Sequence, residues 1–133
     1  MKAFICFLVL FWYFNVVQAQ QIYSPNNDSI EITENIIVQL LAENDQSSNF
    51  MIWVRDTVAK HKHEYHSETI VVLNGKAKMY FNDDEFIIAE KDVVFIPKNT
   101  WHAVKVISDE PLQVMSIQAP RFNKRDRVFF KEE

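Results

Sequence analysis

Three of the four histidines in this chain, His61, His63 and His66, fall within six residues, and the fourth, His102, stands well downstream. His61 and His63 are spaced i, i+2 at the end of a β-rich run. Successive strand side chains alternate faces, so the two imidazoles point the same way. Two neutral imidazoles on one face can ligate a divalent metal. Glu68 opens the next β-rich run and can set a carboxylate beside the two rings. His102 opens another, just after the turn Pro97-Lys98-Asn99. Three imidazoles and a carboxylate suit one divalent transition metal, with Fe, Mn, Ni, Co, Cu and Zn all compatible. His66 is the spare: it can replace His63, shuttle protons at the mouth of a site, or be a solvated loop residue, and the last is the expectation. Arg55 can clamp a substrate carboxylate bidentately or sit on an outer face; the sequence leaves both open. Trp53, Trp101 and Tyr80 read as core more than as pocket lining.

The elements that must carry these residues are short β-rich runs between turn signals: Phe50–Arg55, Val58–His63, Glu68–Leu73, Lys76–Phe81, Glu85–Ala89, Val93–Ile96, Trp101–Ile107 and Leu112–Ala119. Glu34–Ala42 is a strand or a short helix, which periodicity does not separate, and Glu43–Asn49 reads as a loop. Asn74-Gly75 reads as a type I′ hairpin turn, and Asn82-Asp83-Asp84 as a second tight turn. Eight short runs without a long amphipathic helix predict an all-β sandwich or barrel.

The spacing of these residues resembles the cupin superfamily. That family's first motif is G-x5-HxH-x3–4-E-x6-G. His61-Lys62-His63, then Glu68 and Gly75, follow it from the HxH onward. Its second motif is G-x5-PxG-x2-H-x3-N, and Lys91, Pro97-Lys98-Asn99 and His102 keep that spacing. Arg55, Lys91 and Asn99 stand at family glycine positions and Val106 at the final Asn; none of these is a ligand position. Asn tolerates a left-handed φ. The resemblance implies a small double-stranded β-helix, or jelly-roll barrel, enclosing one metal held by His61, His63, Glu68 and His102. On an octahedral ion two positions would stay open for water, substrate or dioxygen, which permits Lewis-acid or redox chemistry.

Composition narrows the classes further. The 133 residues include one glycine, where average usage gives roughly nine. GxGxxG, GxxxxGK[ST] and GxSxG are all absent, so no glycine-rich phosphate cradle or nucleophile elbow is expected, and no organic cofactor. The formal charge of −4 argues against nucleic acid as a partner. A lone cysteine, Cys6, excludes an internal disulfide framework. Met1–Ala19, with Lys2 ahead of an apolar run, reads as a signal peptide cleaved after Ala19. The rival is an uncleaved anchor, for which the run is short. The expected organisation is leader 1–19, lead-in 20–33, cupin barrel 34–120, and a charged tail or edge strand 121–133. The expected protein is secreted or periplasmic, without a membrane span once the leader is cut. It takes a small-molecule substrate and pairs as a homodimer through a flat sheet edge. Its expected work is isomerase or lyase chemistry with the metal as Lewis acid. Metal-dependent dioxygenase chemistry and a non-catalytic binding module are the alternatives.

Overall fold

The computed structural model describes residues 32–131 together with Ile22. The expected leader over 1–19, and all of the lead-in except Ile22, Ile32 and Thr33, lie outside the described residues. Among the described residues ten strands follow in order: β1 Ile36–Glu43, β2 Ser48–Val54, β3 Thr57–His63, β4 Ser67–Asn74, β5 Lys76–Phe81, β6 Asp84–Ala89, β7 Val93–Ile96, β8 His102–Val106, β9 Leu112–Ala119 and β10 Arg127–Phe129. They form two five-stranded antiparallel sheets, ordered β1-β2-β9-β4-β7 and β10-β3-β8-β5-β6, a double-stranded β-helix of the kind expected. The ambiguous segment around Ile36 is a strand paired with β2. The loop expected over Glu43–Asn49 shrinks, because Glu43 still pairs with Ser48. There Ser48 is fully buried and donates to the Glu43 carboxylate at 2.8 Å.

Asn74-Gly75 is not a hairpin turn. β4 and β5 belong to different sheets, so this dipeptide is a corner at which the chain crosses the sandwich. Gly75 has φ +82°, and a Cβ there would lie 2.8 Å from the Pro111 carbonyl oxygen and 2.9 Å from Leu112 Cα. Glycine is required both by the left-handed backbone and by the close approach of β9. Asn82-Asp83 does close a two-residue hairpin, with Phe81 opposite Asp84. Asn82 (φ 52°), Lys91 (φ 78°) and Asn99 (φ 64°) are left-handed. Two of these occupy family glycine positions, so ordinary side chains bear the local strain there.

The inward positions form layers. β4 turns Glu68, Ile70 and Val72 inward, and β8 turns His102, Val104 and Val106. β9 buries Leu112, Val114, Ser116 and Gln118. Register aligns Glu68 with Gln118, Ile70 with Ser116 and Val72 with Val114. The apolar members pack with Val54, Met79 and Ile88 into one core, while every polar member lies toward the same end. A smaller cluster of Leu41, Met51 and Trp53 packs apart from that core. Trp53 is therefore packing, as read, whereas Tyr80 is exposed.

Candidate metal centre

β3 delivers His61 and His63 to the polar end with Lys62 between them on the other face, the alternation expected of a strand. β8 begins at His102, directly opposite His61 in the ladder. The donor atoms of His61, His63 and His102 lie within 4.8 Å of one another. Glu68 Oε2 stands 3.6 Å from both His63 Nε2 and His102 Nε2. All four side chains are buried.

The outer atoms fix how the rings present themselves. His61 Nδ1 faces the Ala59 carbonyl at 2.8 Å, and His102 Nδ1 faces the Thr100 carbonyl at 2.9 Å. Each ring therefore donates from Nδ1 and leaves Nε2 bare toward the centre, the tautomer that metal-ligating histidines need. His63 Nδ1 lies 3.8 Å from Asp126 Oδ2. Glu68 Oε1 accepts from Ser116 Oγ and, at 3.2 Å, from Gln118 Nε2. Burial alone would raise the Glu68 pKa, but the His102, His63 and Ser116 side chains outweigh it and hold the carboxyl well below its usual range. Desolvation, aided by the neighbouring charges of His102, Arg127 and His63, pushes His61 down to about 3, against a weaker upward pull from the Ala59 carbonyl. At neutral pH the group is an ionised carboxylate beside a neutral His61.

These residues fit a cation. His63 Nε2 and His102 Nε2 are buried without a hydrogen-bond partner, and such atoms are costly unless something binds them. Ligands on one ion at bonds of about 2.1 Å lie roughly 3–3.5 Å apart, close to the spacing found here.

His66 departs from expectation. It is 1% exposed, not a solvated loop residue. Its ring stacks 4.1 Å from that of His63, and its Nδ1 pairs with Asp126 Oδ2. Desolvation and the neighbouring His63 lower its pKa to about 4, against the pull of Asp126. His63, His66 and Asp126 form a second buried group of potential donors. Arg55 is exposed in the turn between β2 and β3, outside the site.

Four contributors escaped the sequence reading: Ser116, Gln118, Asp126 and Arg127. The first two carried a usable signal, since they continue the inward alternation of β9 into polar residues. The others lie in the charged tail, whose Arg127–Phe129 segment pairs with β3. Arg127 lies opposite His63 and Phe129 opposite His61, so both share the face of these two histidines.

Two cavities adjoin at this face. The inner one, about 80 Å³, reaches from His61, Glu68 and His102 to the apolar layer of Ile70 and Val114. The outer one, about 370 Å³, is walled by Phe50, Phe122 and Phe129 and shares Val38, Ile52 and Arg127 with the first.

The family described as Cupin domain matches residues 50–118. An uncharacterized protein of Aquifex aeolicus is 30% identical over 95 residues, covering 71% of this chain and 78% of that protein. Quercetin 2,3-dioxygenase of Bacillus subtilis is 34% identical over 53 residues, 40% of this chain and 16% of that protein. Among solved structures, an uncharacterized Klebsiella pneumoniae protein with a double-stranded beta-helix domain superposes with TM-score 0.72 at 17% identity, over 86% of this chain and all of the other. Streptomyces PAC13, solved with uridine, gives TM-score 0.66 at 18% identity over 73% of this chain and 78% of its own.

Proposed function

Because the chain belongs to the cupin family, we propose that it is a metal-dependent enzyme, working outside the cytoplasm, of the isomerase or lyase kind on a small oxygenated or carbohydrate-derived compound. The observation that carries this is the convergence of three imidazoles and Glu68 on one point with a cavity opening directly in front of it. A divalent cation there supplies Lewis acidity toward a substrate oxygen. The chain's own residues do the rest. The Ala59 and Thr100 carbonyls orient His61 and His102. Ser116 and Gln118 keep Glu68 ionised and aimed inward. Gln118, whose Nε2 donates to Glu68 Oε1 and to Ser116 Oγ, also helps to line the outer cavity. His66, stacked on His63 and paired with Asp126, supports His63 from behind. Ile70, Val104 and Val114 seal the inner end against water.

A dioxygenase reading is favoured by the similarity to quercetin 2,3-dioxygenase. Purified protein offered Fe, Mn, Ni and Zn in turn should bind about one ion per chain. His102→Ala should weaken that binding by well over tenfold, since even outer-shell losses cost about 10–100-fold. Metal on fewer than roughly a tenth of chains, or wild-type affinity in His102→Ala, would overturn the assignment. Loaded protein is then offered uronates and keto-acids with and without oxygen. Turnover in both supports isomerase or lyase work, turnover only in air supports the dioxygenase, and binding without turnover leaves a binding module.

A further inference from the structure

Residues 121–129 form a strap across the open end of the barrel. One end is fastened to the first sheet, where Arg121 pairs with Glu43 and the Phe122 amide donates to Ser48 Oγ at 3.0 Å. The other end is fastened to the second. Asp126 Oδ1 there accepts from the Glu64 and Tyr65 amides at 2.8 and 2.6 Å, and β10 then pairs with β3. The strap carries Phe122, Lys124, Arg127 and Phe129 onto the outer cavity. Among the described residues no acidic side chain lines that cavity, and neither Lys124 nor Arg127 is in an ion pair. A chain of formal charge −4 thus presents two uncompensated cations at the entrance to its polar centre. The Arg127 guanidinium lies 5.8 Å from the centre of the Phe122 ring. That stacking and the pairing of its backbone opposite His63 hold it where it borders both cavities.

We propose that Arg127, assisted by Lys124, is the anion-recognising half of the substrate site, and that the substrate is a small carboxylate with an apolar body. The planar guanidinium fork matches a carboxylate bidentately. The body lies between Phe50, Phe122 and Phe129. A phosphate is the poorer fit. Among the described residues no helix N-terminus lies beside the outer cavity, and the sequence has no glycine-rich loop, so the backbone amide cradle that phosphates favour is missing there. A volume of about 370 Å³ lies at the small end of ligand sites. The inference rests on the metal-site reading only for where the rest of the substrate points.

The test measures binding, not turnover. Phenylacetate, mandelate and a hexuronate are titrated calorimetrically into the full chain, metal-loaded and metal-free, against their neutral amides and against phenyl phosphate. The same is done for Arg127→Gln and Lys124→Gln, with metal content measured in each. Phenylacetate or mandelate should bind the loaded protein tenfold or more tighter than its amide, and tighter than the hexuronate; binding of the hexuronate alone would overturn the apolar-body half of the proposal. Arg127→Gln should remove at least tenfold of that affinity with metal content unchanged. Lys124→Gln should remove less, since an exposed ammonium is a screened point charge. The proposal is overturned if no acid outbinds its amide, if phenyl phosphate outbinds every acid, or if Arg127→Gln stays within twofold of wild type. Arg127-dependent acid binding by a chain that takes up no metal would sink the metal reading and leave this one standing.

Discussion

Replacing Asp126 should loosen the strap and the histidine pair together, and the cost can be worked from its contacts. The carboxylate is 1% exposed. One oxygen accepts the Glu64 and Tyr65 amides at 2.8 and 2.6 Å, and the other pairs with His66 Nδ1. Hydrogen bonds to a charged group contribute about 1.5–3 kcal/mol each. Tyr65 is exposed and Glu64 half-buried, so water can reach those amides in a truncated variant, and roughly 1 kcal/mol each is the fitting share. His66, neutral at pH 7, is left with a buried Nδ1 unpaired, which adds about 1 kcal/mol more. Asp126→Ala should therefore cost about 3 kcal/mol, which for a domain of about 100 residues lowers Tm by roughly 12–24 °C. Domains of this size have about 5–15 kcal/mol in hand, so the variant still folds. Asp126→Asn keeps the shape and the Oδ1 acceptor and loses the charge; it should cost about half as much. Urea unfolding of the full chain with a chelator present, followed by tryptophan fluorescence, measures both. A loss below about 1 kcal/mol for the alanine variant, or equal losses for the two, would refute the reasoning.

Gly75→Ala should destabilise by about 2–4 kcal/mol. A left-handed φ costs about 1–2 kcal/mol, and the added Cβ meets the backbone of Pro111 and Leu112, which cannot swing aside as a side chain can; an unchanged urea midpoint would contradict this. Acid should unfold the metal-free protein early. His61 titrates at about 3 in the fold and near 6.5 in the unfolded chain. Its contribution is therefore intact above pH 6.5 and is lost as pH falls toward 3. By pH 5 the loss from His61 alone is about 2 kcal/mol, and a flat urea midpoint between pH 7 and pH 5 would exclude it.

The gathering of the four candidate donors was legible because strand alternation and short loops translate spacing directly into geometry. His61 and His63 share a face by period two, and Glu68 and His102 lie at the starts of β4 and β8, at the same end of the barrel. What a local signal does not carry is which sheet a strand joins. Asn74-Gly75 has the composition of a hairpin turn and is a crossover, because the partners of β4 and β5 are set by β9, β7, β8 and β6, residues far along the chain. The same limit hid Asp126 and Arg127. In a segment reading RFNKRDRVFF nothing local distinguishes a solvated charge from one that docks opposite His63. The burial of His66 is hidden for a related reason. It comes from Asp126, sixty residues away in sequence, and from the strap that brings it. For Arg55, where two readings are open in the sequence, the structure gives the outer face: the chain turns at once after Val54, and the Arg55 amide donates to the Asn35 carbonyl at 2.8 Å.

The two strap residues divide their work by strand geometry. Asp126 sits in the turn before β10, and its carboxylate reaches back under the β3–β4 loop to His66 and His63. Arg127, the next residue, begins β10 and faces the cavity. One anchors the wall that orients a ligand, and the other meets what enters. This matters for stability as well as chemistry. Bare nitrogens on His63, His66 and His102 burden the unliganded barrel, at about 1–3 kcal/mol for each unsatisfied buried group. The fold offsets them with the apolar layers of Val72, Val106 and Leu112 beneath the site and with the clamps on both ends of the strap. A segment that resembles a solvated tail is thus where holding the site together and selecting its ligand meet. A chain cut before Asp126 would lose the cavity wall and the outer support of His63 in one step, while keeping the four donor residues His61, His63, Glu68 and His102.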